Sequence, residues 1–105
     1  MARFLVVTKS NAPFPFEMAP AMLEGMKQWV AAHRQSGKME QTWAFAGING
    51  GGGILNVDSH EELDAIMAGF PFGAFSSIEV FALSDIDASL ASFEAVIKQM
   101  MPPQG

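Results

Sequence analysis

Apolar and polar positions follow two different periods along this chain, and the switches between them divide it into elements. Ala2–Thr8 (ARFLVVT) is β-branched and aromatic enough for a buried strand. The stretch KSNAPFPFEMAP follows as a loop, broken by three prolines and an Asn. From Ala21 to Ser36 the period becomes helical. Met22, Met26, Trp29 and Val30 share one side, and Glu24, Lys27, Gln28, Arg34 and Gln35 occupy the other. Pro20 suits the first turn and Gly37 the stop. Met39–Gly47 alternates polar and apolar in its first half, and Gly53–Val57 is its expected hairpin partner. The glycines between them are expected to form a flexible reversal that exploits positive φ. Ser59 and Glu62 have capping-box spacing, and Glu61 and Glu62 sit where the helix dipole favours negative charge. Leu63, Ile66, Met67 and Phe70 then form an inner stripe. Ile78–Leu83 (IEVFAL) is a fourth strand. Asp85–Met100 is a last helix, with Ile86, Leu90, Phe93, Ile97 and Met100 along one face.

The order β-α-β-β-α-β plus a terminal helix predicts an α+β fold, a single ferredoxin-like domain over residues 1–105. Its antiparallel sheet has strand order 4-1-3-2. Two helices cover only one face of such a sheet. Both residue parities of the first and fourth strands are largely apolar, so the second face needs covering as well. A second copy of the sheet would do this and leave a cavity between the two. The terminal helix is expected to seal that cavity or reach the neighbour.

Composition narrows the function classes. Half of the 105 residues are hydrophobic, well above a disordered composition. No apolar run approaches the length of a membrane span, and MARFLVVTKS is too short and too soon polar for a signal peptide. Cysteine is absent, which removes thiolate metal sites and a Cys nucleophile. The expected setting is cytoplasmic, with no membrane partner. Net charge is −5 and the six cations form no cluster, so nucleic acid would be repelled. Eight methionines and nine phenylalanines in so small a chain favour a homodimer or higher oligomer.

The glycine-rich run GINGGGGILNVDSHEEL suggests a phosphate cradle, but its chemistry is wrong for one. No Lys or Arg lies between Lys38 and Lys98, and a β-branched strand, not a helix, follows the glycines. The run WAFAGINGGGGILNVDSHEEL, with FPFGAFSSIEVFAL beyond it, instead resembles the muconolactone isomerase family. The matching positions are Trp43, Ala46, Gly47, Val57, Ser59, Leu63, Pro71, Ile78, Glu79, Val80 and Leu83, about forty residues without gaps. The resemblance implies a dimeric α+β barrel and proton-shift isomerisation of an unsaturated lactone or related small acid, in aromatic compound degradation. It also implies no metal or organic cofactor, and assembly into rings of dimers. The chain departs from the family at Ile48 and Asn49, where His-Tyr is expected, and at Val6 or Val7, where a lysine is expected.

Such a reaction needs a base and donors for the developing enolate oxygen. The end of strand one, the hairpin and the start of strand four share an edge, which gathers Thr8, Lys9, Asn49, Glu79 and Glu17. Glu79, in an otherwise apolar strand, is the leading catalytic candidate, because burial would raise its pKa. The plainer reading is a solvent-facing carboxylate, or one paired with Lys9. Glu17, in a loop of prolines and phenylalanines, and His33, on the apolar helix stripe, are the other acid–base candidates. Each has a plainer reading too, as a solvated side chain and a hydrogen-bonded core residue respectively. Trp43, Asn49 and Phe75 are candidate substrate contacts with Thr8 and Lys9, against core packing, turn chemistry and dimer packing. Two histidines far apart make no zinc pattern, and no Ser nucleophile motif is present. The alternatives to an isomerase are a non-catalytic ligand-binding or structural dimer and a cofactor-independent oxygenase of the same fold.

Overall fold

The computed structural model describes residues 2–102. Its elements are β1 (Ala2–Ser10), α1 (Ala19–Gln35), β2 (Met39–Ala44), β3 (Gly50–Val57), α2 (His60–Ala68), β4 (Ser76–Leu83) and α3 (Ile86–Met100). Short 3-10 turns at Phe16–Met18 and Gly73–Phe75 precede α1 and β4. The strands form one antiparallel sheet in the order β2-β3-β1-β4, the expected 4-1-3-2 read from the other edge.

Register decides what each side chain faces. Phe4 and Val6 on β1, Leu55 and Val57 on β3 and Met39 on β2 are buried, and Leu63 and Ile66 of α2 close over them. Burial of each such side chain stabilises the fold by roughly 1.5–3 kcal/mol. Trp29, Val30 and Met67 pack at the margin. The Trp29 indole donates to the Ile66 carbonyl at 3.1 Å, tying α1 to α2. The start of α2 forms as its capping residues require: Ser59 Oγ accepts from the Glu62 N–H at 3.1 Å. Glu62 in turn accepts from the Asp58 N–H at 3.2 Å, one residue before the usual capping-box donor.

The glycines differ from expectation. Gly50–Gly53 belong to β3, and the reversal is made by the five residues before them. Positive φ occurs at Gly47, inside that reversal, and not at the four consecutive glycines. Those four are present for close approach instead. A Cβ on Gly52 would lie 3.1 Å from the Trp43 indole, and one on Gly50 would lie 2.3 Å from the Thr8 carbonyl oxygen. Both strand ends also run past expectation, β1 to Ser10 and β4 back to Ser76, and these two residues pair.

Helix α3 is capped by the Asp85 carboxylate, which accepts from the Ala88 N–H at 2.9 Å. It is exposed along its whole length, and the chain measures 74 × 28 × 23 Å. Among the described residues no helix is long and apolar enough to cross a membrane.

Candidate functional site

A cavity of about 560 Å³ lies between the sheet and the first helix. Its floor is the sheet face that carries Val6, Thr8 and Ser10, and its walls include Leu23, Met26 and Trp29 of α1 and Phe14, Phe70, Phe72 and Phe75. The cavity exists because β3 places glycine where its neighbours carry side chains. Gly53 lies opposite Val6 and Thr42, and Gly51 opposite Thr8 and Ala44, so at these positions the strand gives the floor bare backbone and no side chain. The aromatic wall is held by its own contacts. Phe14 meets Phe72 and Phe75 at ring-centroid distances of 5.7 and 5.9 Å, and Trp29 meets Phe70 at 5.3 Å. These separations suit tilted and edge-to-face packing.

The expected meeting of three chain segments is present. The Ser10 N–H donates to the Asn49 carbonyl at 2.8 Å, and the Asn11 N–H donates to the Phe75 carbonyl at 2.9 Å. Thr8, Asn49 and Phe75 line the cavity. Trp43 borders it only through its strand, because its pairing with Gly52, opposite Val7, puts its indole on the other sheet face. Glu79 and Lys9 do not line it. Glu79 pairs with Val7, and Lys9 with Gly50 and Ser77, so both share the parity opposite to Val6 and Thr8 and face the uncovered side of the sheet. Both are exposed. Glu17 is exposed in the turn before α1. His33 is half-buried one turn beyond Trp29, its ring 5.1 Å from the indole. The cavity therefore lies on the helix side of one subunit's sheet, whereas the sequence placed it between two sheets.

Several lining residues were not apparent beforehand. Ser10 and Ser76 needed only the correct strand ends, since two more residues on each strand set them beside each other on the Thr8 side. Thr42 had a clearer signal, as a polar residue in the alternating part of β2. Its hydroxyl donates to the Gly52 carbonyl at 3.0 Å, and that of Thr8 to the Gly51 carbonyl at 3.4 Å. Both hydroxyl protons are thereby committed to backbone, which leaves oxygen lone pairs available. None of the described lining residues carries an ionisable side chain.

The resolved charge interactions lie outside the cavity. Lys38 contacts Glu62 at 3.0 Å and Asp58 at 3.6 Å, and its hydrogen bond to Glu62 raises its pKa above the ordinary lysine range. The Arg3 guanidinium beside Glu40 holds that carboxyl below the usual carboxylate range. Among the described residues, no three His, Asp or Glu side chains cluster as a metal site would require.

Comparison with known proteins fits this architecture. A curated relative, muconolactone delta-isomerase 1 of Acinetobacter lwoffii, is 30% identical over 81 residues, covering 77% of this chain and 84% of that protein. The crystal structure of muconolactone isomerase matches with a TM-score of 0.69 at 22% identity, over 79% of this chain and 88% of that one. The 5-chloro-2-hydroxyhydroquinone dehydrochlorinase of Burkholderia phenoliruptrix AC1100, solved with 2,5-dihydroxybenzoquinone, matches with a TM-score of 0.60. It is 13% identical over 82% of this chain and 97% of that one, a likeness of fold alone. The family model for muconolactone delta-isomerase matches residues 3–88, which include every residue lining the cavity and the whole sheet but its first residue. On that match the chain belongs to the muconolactone delta-isomerase family.

Proposed function

We propose that this protein is a small-molecule enzyme that shifts a proton within a small unsaturated ring compound of the lactone type, bound in the cavity between the sheet and α1. The observation that carries this reading is that the cavity's lining, from Val6 to Ser76, falls wholly inside the family match. The flat phenyl and indole walls suit a planar ring. Asn49, Ser10 and Ser76 supply donors for the charge that develops on an enolate oxygen when a proton leaves an adjacent carbon. In keeping with the family resemblance, the reaction uses no metal or organic cofactor.

The proton carrier in this proposal is His33. Of the three acid–base candidates, it alone touches the cavity wall, through its ring contact with Trp29. Muconolactone incubated in D₂O and followed by NMR tests this. The native protein is expected to catalyse exchange and His33→Gln to lose about a hundredfold or more, with Glu79→Gln and Glu17→Gln close to native. Absence of exchange in the native protein overturns the reaction; full exchange in His33→Gln overturns the residue.

A second reading, a non-catalytic ligand-binding protein of the same fold, is favoured by the absence of ionisable groups among the described lining residues. Tight binding without exchange would select it. In either case the reading includes self-association as a homodimer or larger assembly. Its support is the exposed apolar surface on β4 and α3, including Val80, Phe81, Leu90 and Phe93.

A further inference from the structure

We infer that the substrate of this cavity is a two-ring compound: an unsaturated lactone that carries a flat apolar ring on the side away from its carbonyl. The inference rests on the proposed function, keeps its donors and its His33 imidazole, and adds the second ring. The cavity is large for one ring. An apolar cavity of about 150 Å³ is enough to hold a single benzene, whereas this one measures about 560 Å³. A lone lactone ring would leave much of the apolar wall without contacts, and such wall adds nothing to binding.

Polarity runs along the cavity rather than around it. Ser10 pairs with Ser76, and the Ser10 N–H reaches the Asn49 carbonyl, so the side chains that can serve an enolate oxygen gather at one end. Val6, also on the floor, stands four residues back along β1, roughly 13 Å at the rise of a strand. Towards that inner end the lining is Met39 and Leu55, which pair across the sheet, and Met67, which packs on the same core. None of these three donates a hydrogen bond from its side chain. An oxygen-bearing head therefore belongs at the serine end and an apolar group at the other. The floor between them is bare peptide at Gly51 and Gly53, and phenyl faces stand in the wall, a slot that favours a flat group over a bulky one.

The test compares the γ-methyl and γ-phenyl forms of one butenolide, which share the lactone head and differ in the second ring. Calorimetry on the native protein is expected to give a dissociation constant about thirtyfold lower for the phenyl compound. Both compounds are expected to exchange a ring proton in D₂O. Narrowing the inner end supplies the converse. Met67→Trp adds bulk against the core that Met39 and Leu55 share, and is expected to bring the two constants within about threefold of each other. Met67→Phe, a smaller change, is expected to give an intermediate ratio. A phenyl preference below about fivefold in the native protein overturns the inference, and exchange of the methyl compound then leaves the proposed reaction standing. A full preference that persists in both folded variants places the phenyl outside the cavity and overturns it as well. If neither compound binds at millimolar concentration and neither exchanges, the proposed reaction falls and the second ring with it.

Discussion

Helices α2 and α3 start alike and end differently. Each opens on a side-chain cap, Ser59 in one and Asp85 in the other, and each carries an apolar stripe. The shorter helix buries Leu63 and Ile66; the longer one buries nothing. Capping and periodicity therefore account for the presence of both helices, but not for their packing. Packing requires a facing surface. For α2 that surface is Phe4, Leu55 and Val57 of the same chain, whereas α3 leads away from the sheet with Leu90 and Phe93 exposed. The difference separates a helix stabilised against its own sheet from one whose apolar side meets no facing surface among the described residues.

The largest contrast should come from truncating the two stripes. Ile66→Ala is expected to lower unfolding free energy by about 2–5 kcal/mol in urea, whatever the protein concentration. Ile97→Ala should cost less than about 0.5 kcal/mol in dilute protein. Equal losses at low concentration would break the comparison. Next comes assembly. Phe93→Asp should reduce the mass seen by light scattering to that of a single chain while leaving the sheet's unfolding cooperative. An unchanged mass would dissociate α3 from self-association.

The caps provide a smaller, sharper test. Ser59→Ala should destabilise the whole chain by about 1 kcal/mol. Asp85→Ala should fray α3, seen as lost helical ellipticity, without moving the urea midpoint of the core. Smallest is an electrostatic effect at the entry to α2, which Lys38 pins through Glu62 and Asp58. Its pKa is raised on folding, so the bridge's contribution is complete below the ordinary lysine range and fades as pH climbs through the raised value. A Lys38→Met variant should accordingly melt slightly below the native protein at pH 8, with the gap closing at strongly alkaline pH. A gap that widened there would contradict this assignment.

Element order and strand order were legible in the sequence because period, caps and prolines are local signals. The four glycines were not, since a residue without a side chain gives no sign of belonging to a strand until its neighbours, here Trp43 and the β1 carbonyls, come close. The candidate site was legible in part for a related reason. Thr8 and Asn49 could be gathered from topology alone, and Phe75 was a candidate by its aromatic ring. The facing of Glu79 could not, because β4 is apolar at both parities and only its pairing with Val7 shows which side the carboxylate takes. His33 stood on the predicted stripe, but its contact with the cavity wall depends on where the Trp29 ring settles.

The bare peptide of Gly51 and Gly53 has a further consequence for how this chamber can change. A side chain at either residue would press on the backbone of β2, at 2.5 Å from the Trp43 carbonyl oxygen for Gly51 and 3.0 Å from that of Gln41 for Gly53. Adaptation to compounds of another size must then come from changing the phenylalanines overhead, while the base of the chamber stays fixed.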